Sequence, residues 1–177
     1  MKLSEVCRGI DVEVVCGEDV SAQKLEIREM CIDSRKADKE SIFAPILGRK
    51  ENGGDYVGDA YSRGCRAFLS ETNASPKRDC IIIKTKNIRK TVAELSFKIN
   101  EEAFEKIKII GITGTKGKTS IAFTIAKILS MQGVRAFSIG TLGLCDGDGT
   151  VIERTKNTTP EPTALSRLIN RCADMGA

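Results

Sequence analysis

One short segment, Gly114-Thr-Lys-Gly-Lys-Thr-Ser120, constrains the fold of this 177-residue chain more than any other. An apolar run, Ile107 to Ile112, precedes the segment, and a stretch with helical spacing, Lys118 to Gln132, begins within it. Gly133 can end that helix, and the apolar run Val134 to Ile139 predicts the next strand. A strand, a helix and a strand in this order form a βαβ unit, whose connection is right-handed between parallel strands. The second half of the chain therefore reads as the beginning of a parallel α/β sheet.

The same segment has the residue types of a phosphate-binding loop. Glycines let the backbone wrap closely around an anion, and the start of a helix presents unpaired N–H groups to it. The Lys118 ammonium is expected to reach the β- and γ-phosphates of ATP as the catalytic cation, and the Thr119 hydroxyl to help hold Mg²⁺. We predict an ATP site formed by Gly114, Thr115, Lys116, Gly117, Lys118, Thr119 and Ser120.

The match to a phosphate loop is imperfect. The strict pattern G-x-x-x-x-G-K-[ST] requires glycine at position 112, where this chain has Ile112, with Gly111 one place earlier. A glycine-rich strand-to-helix turn with a surface lysine is the alternative interpretation. For Ser120, capping of the helix is preferred over a role at the metal.

Charge and composition narrow the classes of function. The chain has 28 Lys and Arg against 24 Asp and Glu, a net charge of +4, and the basic residues are scattered, which argues against nucleic acid as a partner. The absence of histidine excludes Ser/His/Asp and Cys/His triads and His-ligated zinc sites in this chain. Seven cysteines without a CxxC pair predict free, buried thiols. No apolar run is long enough to span a membrane, so a cytoplasmic location is expected by default. We also expect the protein to be a monomer.

The first hundred residues predict a second, smaller α/β arrangement. Short strands are predicted at Glu29–Ile32, Ser41–Ile46, Arg66–Ser70 and Cys80–Thr85. One helix is predicted from Tyr56 to Arg63. A second is predicted from Asn87, its N-cap, through Phe104, and a last one from Glu161 to Met175. We expect a domain boundary in the charged stretch that follows Asn100, and hence domains at 1–104 and 105–177.

Three ordered segments resemble the Mur ligases, which add amino acids to the UDP-linked peptidoglycan precursor. The loop from Thr113 to Thr119, T-G-T-x-G-K-T, is similar to the ATP loop of that family. The other two segments resemble its branch that adds the third amino acid, the UDP-N-acetylmuramoyl-tripeptide synthetases. The quoted residues are Asp33-Ser-Arg35, Ser41-Ile-Phe43, Gly48 to Gly53, Tyr56 and Arg63 to Ala67, and then Asn157-Thr-Thr-Pro-Glu161.

The resemblance implies a fold, substrates and residue roles. The fold would be a small α/β uridine-nucleotide-binding domain, followed by the start of a P-loop mononucleotide-binding domain with a parallel sheet. Ser34 with Arg35 would contact the uridine nucleotide of UDP-MurNAc-dipeptide, and Asn157, Thr158 and Thr159 would hold its sugar-peptide part. ATP would phosphorylate the substrate carboxylate, and the amine of an amino acid would attack the acyl phosphate.

Alternatives to these roles remain open. Residues 33–35 also read as a polar turn, and residues 157–161 as a loop with a helix N-cap, with Pro160 or Pro162 in the first turn. Family loops often carry Asn where this chain has Lys116, and often Asp-Gly and histidines around positions 52–54. The sequence ends before the segments that in the family supply a metal-binding glutamate, a modified lysine and the amino-acid-binding domain. The chain alone is therefore not expected to complete a ligation.

Three other functional classes compete with this interpretation. A folate- or cyanophycin-type ligase would share the ATP loop but lack the Asp33-Ser-Arg35 segment. An unrelated P-loop kinase or NTPase would bind ATP without UDP-sugar peptides. A non-catalytic nucleotide-binding module would bind ligand without turnover.

Overall fold

All four strands predicted for the first hundred residues lie in one mixed sheet. The computed structural model describes residues 1–46, 53–155 and 157–177. The strands are β1 (Glu13–Cys16), β2 (Glu29–Cys31), β3 (Ser41–Phe43), β4 (Ala67–Ser70) and β5 (Ile81–Lys84). Their order across the sheet is β1-β5-β4-β3-β2, in which β2 to β5 run parallel and β1 pairs antiparallel with β5. The predictions of β2 to β5 are confirmed, and the sequence pattern did not reveal β1.

Both faces of this sheet are buried. The helices around it are α1 (Leu3–Val6), α2 (Val57–Ser62) and α3 (Ile88–Ile99). Ala67 and Leu69 of β4 belong to the apolar cluster that includes residues of α1 and α3, whereas Phe68 belongs to a second cluster with Ala60 of α2. Successive residues of a strand point to opposite faces, so β4 contributes to two cores. Burial on both faces is typical of a parallel sheet with helical connections.

The long helix predicted from Asn87 through Phe104 is interrupted. The Asn87 side chain accepts a hydrogen bond from the backbone N–H of Lys90 at 3.0 Å, which confirms it as the N-cap of α3. The helix ends at Ile99, and a separate helix, α4 (Glu101–Lys106), follows. The backbone of Asn100 departs from helical geometry, and its amide donates to the Ser166 hydroxyl at 2.6 Å. The apolar period continues past Asn100, and periodicity alone cannot reveal such a break.

The chain divides at this break into two compact units, Met1–Ile99 and Asn100–Ala177. The expected boundary between residues 104 and 105 lies inside α4. The assignment of residues 1–104 to the UDP-substrate and of 105–177 to ATP stays a prediction.

In the second unit, the helices and the glycine turn are confirmed. They are α5 (Lys118–Met131) and α6 (Pro162–Asp174), and the turn after Cys145 joins β7 (Gly143–Asp146) to β8 (Val151–Glu153). The Asp146 side chain accepts hydrogen bonds from the backbone N–H groups of Asp148 and Thr150 and shapes that turn. The core of this unit contains Leu144, Leu168 and Cys172.

The predicted strand at Ile107–Ile112 is wrong, and so is the parallel pairing predicted from it. Residues 107–112 have no regular structure, and Ile109 and Ile110 are 56% and 60% exposed. The following strand, β6 (Phe137–Gly140), pairs antiparallel with β7, and β8 completes a three-stranded antiparallel sheet. A parallel strand is normally covered on both faces and paired with neighbours. Within the described part of the chain, no strand pairs with residues 107–112, so their apolar pattern alone does not produce a strand.

The cysteines agree with the prediction of free thiols. All seven cysteines are free thiols, and six are buried, whereas Cys16 is exposed. In residues 1–46, 53–155 and 157–177, no helix has the length and apolar character needed to cross a membrane.

Candidate functional site

The glycine loop leads directly into α5 through two glycines with unusual backbone angles. Gly117 is the N-cap of α5 with φ of 79°, and Gly114 has φ of 151°. Both values favour glycine, because a side chain is strained there. Gly117 has no side chain to cap the helix, so within the described residues the first N–H groups of α5 receive no side-chain cap. The capping role expected for Ser120 is wrong, since Ser120 lies inside α5 and the cap is Gly117.

Lys118 is folded back over this loop. Its Nζ donates a hydrogen bond to the backbone carbonyl of Gly114 at 2.5 Å. The Lys118 ammonium group therefore lies against the loop. Thr115 and Lys116, between the two glycines, are exposed. The loop thus combines a cation with uncapped backbone donors, as phosphate binding requires.

Three threonine hydroxyls connect the loop to the Asn157-Thr-Thr159 segment. Thr119 Oγ1 lies 3.1 Å from Thr141 Oγ1, and Thr141 Oγ1 donates to Thr158 Oγ1 at 3.1 Å. Thr119 was predicted as a metal ligand and Thr158, separately, as a substrate ligand. In the structure both contact the same group, the hydroxyl of Thr141. Asn157, Thr158 and Thr159 are exposed. We call Thr119, Thr141 and Thr158 the threonine chain.

Thr141 was not predicted from the sequence. It follows directly after β6, which the sequence predicted as part of a parallel sheet, where residues just beyond the carboxyl ends of strands are common ligand positions. That position was the available signal. Thr155 is attached to the same strand end, because its Oγ1 donates to the Gly140 carbonyl at 3.0 Å. Beside Thr119, a shallow pocket between α5 and β6 includes Phe123 and Ile139 in its lining.

The donor set fits Mg-ATP. The described residues contain no cluster of three or more His, Cys, Asp or Glu side chains that could hold a metal ion. A cation held at Thr119 would therefore take its other ligands from phosphate oxygens and water, which is how proteins commonly bind Mg²⁺. The Lys118 ammonium and the backbone donors of the loop would supply the positive field for the phosphates.

The predicted uridine residues lie in the first unit, in a short 3₁₀ turn at Ser34–Lys36. Asp33 caps this turn, and its carboxylate accepts hydrogen bonds from Nε and Nη2 of Arg35, both at 2.8 Å. These hydrogen bonds lower the pKa of Asp33 to about 2. The Arg35 side chain is exposed, whereas Ser34 is only 5% exposed.

Ser34 also affects a neighbouring carboxylate. Its hydroxyl makes a hydrogen bond with Asp59 that lowers the pKa of that group. The polar-turn interpretation of residues 33–35 is therefore confirmed, while their contact with a nucleotide stays a prediction. Of the resembling residues around position 50, Gly48 to Asn52 lie outside the described residues, and Gly53 begins a second 3₁₀ turn, Gly53–Tyr56.

Comparison with known proteins gives consistent matches. Residues 112–177 match the Mur ligase middle domain. The UDP-N-acetylmuramoyl-L-alanyl-D-glutamate--2,6-diaminopimelate ligase of Clostridioides difficile (strain 630) is 34% identical over 176 residues, which are 99% of this chain and 35% of that protein. This chain therefore spans about one third of the length of the curated relatives it matches.

Solved structures agree at the level of the fold. A structure of a UDP-N-acetylmuramoyl-L-alanyl-D-glutamate--2,6-diaminopimelate ligase aligns with 100% of this chain and 34% of its own, with a TM-score of 0.75 and 24% identity. The MurF ligase of Thermotoga maritima, solved in complex with ADP, aligns with 83% of this chain and 30% of its own, with a TM-score of 0.55 and 20% identity. The mixed α/β architecture is thus shared with this group of enzymes.

Proposed function

We propose, since this chain belongs to the Mur ligase family, that it forms part of an ATP-dependent ligase that adds the third amino acid to UDP-MurNAc-L-Ala-D-Glu. The observation that carries this proposal is the threonine chain, which connects a phosphate-type loop to the Asn157-Thr-Thr159 segment. A ligase of this kind needs ATP and the substrate carboxylate side by side, because the phosphoryl group passes directly between them. The Clostridioides difficile relative, which is named as a UDP-N-acetylmuramoyl-L-alanyl-D-glutamate ligase, supports the same substrate.

Each predicted residue has a task in this proposal. Gly114 to Ser120 would hold the ATP phosphates, with the Lys118 ammonium balancing the negative charge that develops on them. The Thr119 hydroxyl would bind Mg²⁺, which would neutralise charge on the phosphoryl group that ATP supplies. Asn157, Thr158 and Thr159 would orient the sugar-peptide by hydrogen bonds, and Ser34 and Arg35 would bind its uridine nucleotide. The substrate carboxylate would accept the γ-phosphoryl group with release of ADP. The incoming amine would then attack the activated carboxyl carbon, expelling inorganic phosphate and losing a proton as the amide forms.

The proposal also assigns a cellular context. An enzyme that extends the UDP-linked peptidoglycan precursor contributes to cell wall biogenesis, and through it to cell shape and division. We place the protein in the cytoplasm as a monomer, with small molecules as its substrates and neither nucleic acid nor membrane as a partner.

Calorimetric titration of the chain with Mg-ATP and, separately, with UDP-MurNAc-dipeptide tests this proposal. We expect both ligands to bind, and Lys118→Ala to weaken Mg-ATP binding about tenfold or more, since a charged hydrogen bond contributes about 1.5–3 kcal/mol. The same variant should bind UDP-MurNAc-dipeptide normally. Lys108→Ala removes an exposed lysine outside the loop and serves as the control.

The possible outcomes separate the competing classes. Unchanged Mg-ATP affinity in Lys118→Ala would refute the role of that lysine. Binding of Mg-ATP without UDP-MurNAc-dipeptide by a folded sample would favour a different P-loop enzyme, such as a folate-type ligase or an NTPase. Binding of both ligands, but no ligation when the matching remainder of a relative is supplied, would favour a non-catalytic module.

A further inference from the structure

We infer that Thr141 is a positioning residue that fixes the hydroxyl orientations of Thr119 and Thr158 and thereby couples the binding of Mg-ATP to that of the second substrate. This inference rests on the proposed function and adds a residue to its machinery. Its basis is the threonine chain, in which Thr141 Oγ1 lies 3.1 Å from both of the other hydroxyl oxygens. All three side chains belong to the second unit.

The number of hydroxyl hydrogens fixes which threonine donates to which in the threonine chain. A threonine hydroxyl has one hydrogen to donate and two lone pairs that accept. Thr141 donates its hydrogen to Thr158, so its contact with Thr119 requires Thr119 to be the donor. The Thr119 hydrogen is then directed at Thr141, which leaves the Thr119 lone pairs to face a cation. The Thr158 hydroxyl accepts from Thr141, so its own hydrogen goes to an acceptor other than Thr141.

This direction matches what the two ends are proposed to bind. A Mg²⁺ ligand must present lone pairs, and a hydroxyl whose hydrogen points at the ion cannot do so. A substrate carboxylate or carbonyl oxygen needs a donor, which is the role left to Thr158. A cation at Thr119 also polarises the O–H bond of Thr119 and so strengthens each hydroxyl donor along the threonine chain. Mg-ATP should therefore improve binding of an oxygen acceptor at Thr158, and the acceptor should improve binding of Mg-ATP by the same factor.

A purely structural role for Thr141 makes a different prediction. In that case Thr141 would only attach the segment around Thr158 to the end of β6. Thr155 makes an attachment of this kind, from its hydroxyl to the Gly140 carbonyl at 3.0 Å, and lies outside the threonine chain. Thr155→Val is therefore a matched control, which weakens the attachment and leaves the hydroxyl chain in place.

The test compares the wild-type chain with Thr141→Val, Thr141→Ser and Thr155→Val by calorimetry. ATP is titrated with Mg²⁺ and with EDTA, and UDP-MurNAc-dipeptide is titrated with and without a saturating non-hydrolysable Mg-ATP analogue. We expect Thr141→Val to lose about fivefold to tenfold of the Mg²⁺-dependent affinity and the coupling between the ligands, with ATP binding in EDTA unchanged. Thr141→Ser, which keeps the hydroxyl, should behave like the wild type.

Different results would contradict the role of Thr141 and the proposed function. Wild-type Mg²⁺ dependence and coupling in a folded Thr141→Val protein would overturn the inference, as would an equal loss in Thr155→Val. Thr141 is exposed, so the valine variant should fold, which circular dichroism checks. A wild-type chain that binds neither ligand would overturn the proposed function itself, and this inference with it.

Discussion

At the scale of single residues, the Asp33–Arg35 pair has a defined dependence on pH. The two hydrogen bonds from the Arg35 side chain lower the pKa of Asp33 from 3.8 to about 2. A carboxyl group with a lower pKa in the folded state stabilises the fold fully above its unfolded pKa. This contribution is lost as the pH falls from about 4 through about 2. Because the pair is partly exposed, its contribution should stay below about 1 kcal/mol.

We therefore predict that Asp33→Asn lowers the free energy of unfolding at pH 5 and that the difference from the wild type shrinks toward pH 2. Urea unfolding at a series of pH values between 2 and 5 measures this difference. Asp11→Asn, which neutralises an exposed carboxylate elsewhere in the first unit, is the control. A difference between Asp33→Asn and the wild type that does not change with pH would contradict the assignment of the pair.

The threonine chain shows what a residue-by-residue reading can and cannot supply. Thr119 and Thr158 each lie in a segment with a recognisable pattern, so their roles were predicted from local sequence. Thr141 lies in no such pattern, and its importance depends on contacts with residues 22 and 17 positions away. Contacts of this kind are decided by tertiary structure, which periodicity and spacing do not encode.

At the scale of elements, Gly133 is a clear case of local sequence that specifies an element end. It has φ of 79°, and the N–H groups of Gly133 and Val134 donate to the carbonyls of Ser130 and Leu129. This is the Schellman arrangement that ends many helices. A left-handed backbone costs a residue with a side chain about 1–2 kcal/mol. No other atom lies near the place where a Cβ would be added, so the backbone strain should be the whole effect.

We accordingly predict that Gly133→Ala destabilises the second unit by about 1 kcal/mol. Gly111→Ala is the control, since that position is equally open and has no positive φ. It should be neutral or slightly stabilising. Thermal unfolding followed by circular dichroism, with the three proteins in parallel, measures the difference, and equal midpoints for both variants would show that α5 does not depend on this end.

The elements that sequence reasoning predicted have such local signals, and those it missed do not. Asn87, Gly133 and Pro162 mark ends of α3, α5 and α6. Helices α5 and α6 were predicted nearly to their bounds, whereas for α3 only the start, at Asn87, was predicted correctly. By contrast, the apolar run at 107–112 satisfies a strand pattern, but a strand forms only when neighbouring strands pair with it. The antiparallel sheet of β6 to β8 was missed for the same reason. Pairing is a property of several segments together, and a single segment does not reveal it.

At the scale of the whole molecule, the two units differ in how much apolar surface they bury. The first unit has two clusters of buried residues, one on each face of its sheet, whereas the cluster in the second contains Leu144, Leu168 and Cys172. Large exposed apolar side chains are concentrated in the second unit. They include Ile109, Ile110, Ile121, Ile128, Met131, Val134, Leu142 and Val151. Hydrophobic burial is the main favourable contribution to folding, so the first unit should be the more stable.

Helices α3 and α5 make this difference measurable, because they have similar lengths and very different burial. Helix α3 has 12 residues and buries Ile88, Val92 and Leu95, whereas α5 has 14 residues and buries only Ala126 among its side chains. Amide hydrogens exchange through local opening, and openings are less costly where few apolar contacts are broken. We predict that peptides from α5 exchange at least about tenfold faster than peptides from α3, which corresponds to a difference of about 1.4 kcal/mol in opening free energy.

Hydrogen exchange followed by mass spectrometry, at a pH where both units are folded, measures this ratio directly. Mg-ATP should slow exchange at the amino-terminal end of α5, because a ligand that binds only the folded state stabilises it. Peptides from α3 lie in the other unit and serve as the internal control, with little expected change. Equal protection of α3 and α5 without ligand would mean that the exposed side chains of α5 are covered in solution, and the predicted order of stability would then be wrong.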